Sequence, residues 1–183
     1  MATPTERQAA GYDALAKTFH WLVVLLLAAQ YTIGWLMPHV GRNTKPEGLI
    51  ALHLWVGALL VLILIARLAY RLFRHVPLVT QDMPRWQVVV ARLTHWLLYI
   101  TLAVLLALGW ANASARGWSV TLFGIVPLPP LSPAGAPAGM AAGDIHSDFG
   151  WILLALIGLH LLAAIYHYLV RRDQILQRML PRL

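Results

Sequence analysis

Four long apolar segments alternate with polar segments along the chain. They cover approximately residues 18–37, 49–73, 89–111 and 146–170. Each is close to the roughly 20 residues that a helix needs to cross about 30 Å of hydrocarbon. The connections are PHVGRNTKPEG, HVPLVTQDMPRWQ and a Pro/Gly-rich stretch from Arg116 to Gly143. Short connections make neighbouring helices antiparallel, so the pattern predicts an all-α, up-and-down bundle of four transmembrane helices in a single membrane domain, residues 1–183.

The composition supports this prediction and removes several classes of site. The chain is 60% hydrophobic and 11% charged, whereas a soluble domain is about 45–50% apolar and about 25% charged. It contains no cysteine. Disulfides, iron–sulfur clusters and covalently attached c-type haem are therefore excluded.

The net charge of +7 has a topological explanation. Three basic residues, Arg42, Lys45 and Arg116, lie on one side of the predicted membrane. The other side carries 11 of the 14: Arg7, Lys17, Arg67, Arg71, Arg74, Arg85, Arg92, Arg171, Arg172, Arg178 and Arg182. The positive-inside rule places both termini in the cytoplasm. The first sixteen residues lack the apolar core of a signal peptide and are interpreted as a cytoplasmic tail. The basicity gives no reason to expect nucleic-acid binding.

The fourth segment carries three histidines on one stripe. An α-helix turns by about 100° per residue, so His160 returns to within about 40° of His146, and His167 to within about 20° of His160. An ionisable side chain at membrane depth is costly and is a functional candidate. His146 is expected near the outer surface, His160 deeper towards the cytoplasm, and His167 near the inner surface.

The same fourteen-residue interval recurs in the other helices. His53 precedes Arg67 by fourteen residues, His20 precedes Gly34, and His95 precedes Gly109. These intervals predict two stacked layers in the bundle. The outer layer contains His53 and His146, and the inner layer contains His160 with either His20 or His95.

A flat, apolar, metal-containing disc with acidic substituents suits both layers, and haem b is such a disc. Histidine is a common axial ligand of haem, and bundle cores hold such cofactors. In this interpretation Arg67 pairs with propionates of the inner haem. Gly34, Gly57 and Gly150 give the cofactors room. The competing interpretations are that single histidines form hydrogen bonds between helices and that the glycines serve helix packing.

The sequence resembles the bacterial cytochrome b561 family over roughly residues 12–182. The matching motifs are FHW in the first helix, LHLWVG and a later RL in the second, THWLLY in the third, the loop SVTLFGIVPLPPL, DIHSDFGW with GLH fourteen residues later, and the tail DQILQRMLP. Members are four-helix membrane proteins with two haems, in the bacterial inner membrane. The resemblance implies that His20 of the first helix, rather than His95 of the third, is the inner ligand that accompanies His160. His20 and His160 would then bind the inner haem, and His53 and His146 the outer haem.

The resemblance also implies an activity, because family members can oxidise superoxide on the periplasmic side and reduce ubiquinone. Arg42, Lys45 and Arg116 are candidates for steering superoxide to the outer haem. His167, with His95 as a second candidate, is expected to serve ubiquinone reduction and proton transfer. Three alternatives stay open: a haem-bearing anchor subunit that docks a dehydrogenase or hydrogenase, a quinol-linked shuttle to another periplasmic acceptor, and a haem-free transporter or scaffold. The loop from Trp118 to Met140 is either a lid over the outer haem or a plain connector.

Overall fold

Four long helices dominate the computed structural model, which describes residues 12–41, 43–74, 84–173 and 175–180. The helices are α1 (Ala14–Leu36), α2 (Leu49–Arg74), α3 (Arg85–Ala115) and α4 (Pro137–Tyr166). Helix α4 continues into a π-helical turn, His167–Arg171, and is followed by the short helix α5 (Ile175–Met179). Strands β1 (Thr121–Leu122) and β2 (Val126–Pro127) form an antiparallel hairpin between α3 and α4.

All four long helices have the length and apolar composition needed to cross a membrane. Large apolar side chains cover their outward faces, as Leu25, Ile65 and Leu162 illustrate, each at least 60% exposed. Such surfaces suit lipid rather than water. The chain is therefore a multi-pass membrane protein, and the predicted all-α four-helix fold is confirmed.

Helix α4 begins well before residue 146, the predicted start of the fourth span. Pro137 occupies its first turn, where the missing N–H costs nothing. The following glycines let α4 approach α3 closely: a Cβ at Gly139 would lie 2.6 Å from the Cβ of Ala115, and one at Gly143 would lie 2.8 Å from Nδ2 of Asn112. Asn112 Nδ2 also donates to the carbonyls of Gly139 and Met140. Tertiary contacts thus make a helix from a glycine-rich segment that the sequence pattern predicts to be part of a loop.

The bundle consists of two helical hairpins. Helix α1 packs along α2 and α3 packs along α4, while the contact between α2 and α3 is much sparser. Leu60 and Leu153 are the most deeply buried large side chains of the described core, and Val23, Leu64, Leu102 and Leu105 surround them. The space between the two hairpins is consequently where a cofactor has room.

The two ends of the bundle are named here by their connections. The outer end is where α1 leads into α2 and where the β-hairpin lies; the inner end holds the start of α1 and the segment after α4. At the inner end, Lys17 Nζ donates to the carbonyl of Leu180 and Trp21 Nε1 donates to that of Met179. These bonds attach α5 to the first turns of α1.

Candidate haem sites

The outer histidine pair comes from different helical hairpins. His53 lies on α2 and His146 on α4, and their ring centroids are 6.1 Å apart with the planes at 81°. Two imidazoles that bind one metal ion from opposite sides have centroids roughly 6.3 Å apart, if the metal–nitrogen bond is about 2.0–2.1 Å as at zinc. The separation of His53 and His146 therefore suits two axial ligands of one iron.

The orientation of His146 is determined by helix α3. Its Nδ1 lies 2.9 Å from the backbone carbonyl of Leu105. A carbonyl only accepts, so Nδ1 carries the proton and Nε2 keeps its lone pair, which is the form that binds a metal. Gly109, one turn further along α3, leaves room for the ring, since a Cβ there would lie 2.8 Å from Cε1 of His146.

A cavity of about 460 Å³ adjoins the outer pair, within the range of about 300–1,000 Å³ that ligand pockets span. Its lining is mainly apolar and comes from α1, α2, α3, α4 and the hairpin. It includes both histidines together with Gly34, Gly57, Leu106, Gly109, Trp110, Arg116, Val120 and Leu128. The volume, the apolar wall and the histidine pair together match the needs of an apolar cofactor with a metal centre.

The three glycines predicted to give cofactors room have different surroundings. A Cβ at Gly34 would make an ordinary contact of 3.9 Å with Cε1 of His53. One at Gly57 would approach Nε2 of Gln30 to 3.1 Å, and this amide donates to the carbonyl of His53. One at Gly150 would meet no atom of the described residues within 4 Å; the Gly150 carbonyl accepts from the hydroxyl of Tyr31. Gly34 and Gly57 line the outer cavity.

Three histidines meet at the inner layer. The ring centroids of His20 and His160 are 6.5 Å apart, and those of His95 and His160 are 5.4 Å apart. Two imidazoles on opposite sides of one metal ion have centroids roughly 6.3 Å apart. The separation of His20 and His160 is close to this value, whereas that of His95 and His160 is too short. The geometry favours the pair His20 and His160, with His95 beside it.

Arg67 lies within this inner cluster, as its position fourteen residues after His53 predicts. Its Nη1 is 3.1 Å from Nδ1 of His20, and its Nε donates to the hydroxyl of Tyr99 at 2.9 Å. Because guanidinium only donates, Nδ1 of His20 is the acceptor, which is the opposite tautomer to that of His146. Arg71 also stacks over the Tyr99 ring, so positive charge is concentrated beside the inner histidines.

His167 lies apart from the inner cluster, about 10 Å along the helix from His160. It opens the π-helical turn, and its Nδ1 donates to Asp173 Oδ2 at 2.6 Å. Arg172 between them adopts a left-handed conformation, with φ at 51°, which turns the chain back. Asp173 is not among the site residues that the sequence predicts, although it lies six residues after His167 in the quoted tail motif.

The candidate steering residues are spread around the outer end. Arg116 lines the cavity; its Nε donates to Asn112 and its Nη1 to the carbonyl of Gly41. Lys45 is exposed, and Arg42 lies outside the described residues. Of the described steering residues, Arg116 is therefore the one placed at the wall of the outer cavity.

No group of three or more His, Cys, Asp or Glu side chains in the described ranges converges to hold an ion. Two nitrogen ligands suffice for a haem iron, because the porphyrin supplies four more. Both histidine pairs and the outer cavity thus suit haem b.

Comparison with known proteins assigns the family. The family model described as prokaryotic cytochrome b561 matches residues 11–182. The chain belongs to the prokaryotic cytochrome b561 family. This cytochrome is accordingly a membrane electron-transfer protein of a family that binds haem b.

Individual relatives cover nearly the whole cytochrome. "Cytochrome b561 homolog 2" of Escherichia coli strain K12 is 27% identical over 93% of this chain and 92% of its own length. "Probable superoxide oxidase CybB" of Yersinia pestis is 27% identical over 93% of this chain and 96% of its own. "Cytochrome b561 homolog 1" of the same Escherichia coli strain is 28% identical over 89% of this chain and 93% of its own. These similarities support a general redox role.

Proposed function

We propose that this cytochrome holds two b haems and transfers electrons from superoxide to ubiquinone. His53 and His146 bind the outer haem, and His20 and His160 bind the inner one. The centroid separations of 6.1 Å and 6.5 Å are the observation that carries this assignment. Bound haem supplies a reversible one-electron redox centre at each layer.

Two histidines per iron leave no coordination position for oxygen. This ligand set favours electron transfer at the haem edge over binding or activation of oxygen at the metal. A membrane protein that transfers electrons in this way is suited to a one-electron donor at its surface and to an acceptor that is soluble in lipid. The name of the Yersinia pestis relative supports superoxide as the donor.

The proposed orientation places both termini in the cytoplasm of a bacterium and the outer end in the periplasm. The 11-to-3 distribution of Lys and Arg supports it through the positive-inside rule. The membrane is then the bacterial inner membrane. Superoxide would meet the outer cavity from the periplasmic side.

The basic residues of the outer end are the part of the protein proposed to attract the donor. Arg116 contributes a fixed positive charge at the cavity wall, because Asn112 and the Gly41 carbonyl hold its guanidinium. Lys45 and Arg42 add charge to the same side of the chain. Attraction of this kind weakens as salt rises, since the screening length falls from about 10 Å at 0.1 M to about 3 Å at 1 M.

The residues near the inner end serve ubiquinone, whose full reduction takes up two protons. His167 is proposed to pass these protons, because imidazole gains and loses a proton near neutral pH. Asp173 accepts from Nδ1 and leaves Nε2 free for the quinone oxygen. His95 is the second candidate for this proton transfer.

Binding of the inner haem by His20 imposes a condition on Arg67. The guanidinium, which contacts Nδ1 of His20 in the structure, would have to leave this nitrogen and pair with an anion such as a haem propionate.

Stopped-flow mixing of the purified, oxidised protein with superoxide tests the donor. The expected result is haem reduction that slows with rising ionic strength, followed by reoxidation on adding a soluble ubiquinone. Superoxide dismutase in the syringe is the control and should abolish the reduction. If superoxide leaves both haems oxidised, the superoxide proposal fails and the role of anchor subunit for a dehydrogenase or hydrogenase takes its place.

A further inference from the structure

The β-hairpin between α3 and α4 has an apolar, exposed tip. Its strands pair Thr121 with Pro127 and Leu122 with Val126. Phe123, Ile125 and Val126 at the tip are 68%, 81% and 54% exposed. The surrounding stretch, residues 117–143, contains no charged side chain. A loop bathed in water would not be expected to show this composition, because exposed apolar patches mark contacts with a partner or a membrane.

The base of the hairpin is firmly packed in the bundle. Val120 is 6% exposed and packs with Ala58 of α2 and Ala113 of α3. Val120 and Leu128 also form part of the outer cavity wall. The hairpin therefore projects from a rigid base, and its tip has a defined position.

The tip lies against the lipid-facing side of α2. Gly124 contacts the indole of Trp55 so closely that a Cβ would lie 3.3 Å from Cζ2. Trp55 belongs to a stripe on α2 whose members are all exposed and share one helical face: Leu52, Trp55, Leu62 and Ile65. In a membrane-spanning helix this stripe contacts lipid. The apolar surface of the tip is thus continuous with a surface already covered by the bilayer.

The depth of the contact also points to the bilayer. Trp55 lies about 9 Å along α2 from Leu49, the first residue of an apolar run that extends for about 27 Å. Trp side chains characteristically lie at the membrane–water interface. Because Gly124 of the hairpin turn contacts the Trp55 indole, the turn lies at the same depth in the membrane as this side chain.

The hairpin satisfies its own backbone at this depth, as an interfacial segment requires. The amide of Ile125 donates to the carbonyl of Leu122, and that of Leu128 donates to the carbonyl of Val120. The turn needs positive φ at Phe123 and Gly124, 54° and 71°. A bulky residue in this conformation is unfavourable, and the hydrogen bond from the Ile125 amide to the Leu122 carbonyl closes the turn that contains it.

We infer that the hairpin tip inserts into the bilayer interface at the outer end, with Phe123, Ile125 and Val126 among the lipid headgroups and upper acyl chains. The occupant of this apolar surface is therefore lipid. The hairpin joins the wall of the outer cavity to the membrane surface.

Depth-dependent fluorescence quenching tests this inference. Because the chain has no cysteine, Ile125→Cys and Ala134→Cys each accept a single bimane label. Ala134 is exposed and lies next to Gly135, whose amide donates to the carbonyl of Ala115 at the end of α3. It is the matched control for a water-facing position. Each labelled protein is placed in phosphatidylcholine–phosphatidylglycerol vesicles, with and without bromine on the upper acyl chain.

The expected result is that brominated lipid removes most of the fluorescence at position 125 and little at position 134, while aqueous iodide does the reverse. An unchanged haem absorption spectrum confirms that each variant is folded. Equal iodide quenching at the two positions would place the tip in water. Protection of position 125 from both quenchers would mean that a second copy or another protein covers it. Either result would overturn the inference.

Discussion

The outer and inner histidine layers differ in how completely the protein prepares them. The outer layer has two histidines, and His146 is already held with Nε2 free by the Leu105 carbonyl. The inner layer has three histidines within ring contact and an arginine that occupies Nδ1 of His20. The outer site is defined by the shape of its cavity and by the hydrogen bond of His146. The inner site depends on the position of the Arg67 charge and on which of two neighbouring rings, His20 or His95, pairs with His160.

Replacing the proposed ligands is expected to have the largest effect. His53→Ala or His146→Ala should remove the outer haem, and His20→Ala or His160→Ala the inner one, because in the proposed ligand set two imidazoles are the only protein bonds to each iron and each variant loses one of them. The pyridine haemochrome assay should show half the haem per polypeptide in each variant. A native protein that contains a single haem would contradict the two-layer assignment.

His95→Ala is the matched control for the inner layer. Its ring is 5.4 Å from that of His160, too close for an iron between them, so this variant should keep both haems and a low-spin signal by electron paramagnetic resonance. Loss of a haem in His95→Ala together with retention of both in His20→Ala would reverse the inner assignment.

Gly109→Ala should damage the outer layer selectively. The new Cβ would lie 2.8 Å from Cε1 and 2.9 Å from Nδ1 of His146, so the ring must shift, and the shift is expected to disturb its hydrogen bond to the Leu105 carbonyl. We expect a large loss of outer haem with the inner haem retained, measured by haem content and absorption spectrum after purification. Gly158→Ala is the control, since a Cβ there would meet no atom of the described residues within 4 Å and Gly158 does not line the outer cavity. Equal haem loss in both variants would show that the Gly109 contact has no special role.

His167→Ala should affect a rate at the inner end and leave both haems in place. Positioned acid–base groups contribute roughly 10²–10⁴-fold, so reoxidation by ubiquinone should slow by about 100-fold or more, while reduction by superoxide continues. Asp173→Asn should cause a smaller slowing, because it weakens the hydrogen bond to Nδ1 without removing the imidazole. Stopped-flow absorbance measures both steps. Unchanged reoxidation in His167→Ala would place the quinone site elsewhere.

Asp13→Ala should have the smallest effect, a loss of about 1 kcal/mol of stability at neutral pH, the usual value of a helix N-cap. Asp13 Oδ1 accepts from the amide of Ala16, and the hydrogen bond from Tyr70 holds the pKa of the Asp13 carboxyl below its ordinary 3.8. The charged cap is therefore fully effective above that ordinary value and is lost as pH falls through the lowered pKa.

Thermal loss of the haem absorbance, followed from neutral to acidic pH, measures the effect of this cap. Asp13→Asn is the control, because asparagine caps equally well but does not titrate. At the outer end, the residue before α4 is Ala136, which makes no side-chain capping bond. A pH dependence that survives in Asp13→Asn would assign it to other groups.

Local physics explains what the sequence alone predicted. Hydrophobicity and length located the four spans, and the helical period placed His53 and His146 at one level and His160 at another. These properties depend on one helix at a time. The early start of α4 escaped prediction because its glycines are favourable only where Asn112 and Ala115 of α3 approach them.

The tertiary structure decided the features that depend on two or more helices. His20 and His95 have equivalent surroundings in the sequence; the family resemblance favours His20 as the inner ligand, and the ring distances to His160, 6.5 Å and 5.4 Å, support the same prediction. Gly109 shares its fourteen-residue spacing with Gly34, yet it alone lies tightly against His146. Gln30 and Asp173 became visible only through their bonds to His53 and His167. A helix's period specifies the face of each side chain, but the distance between two faces is determined by how the helices pack.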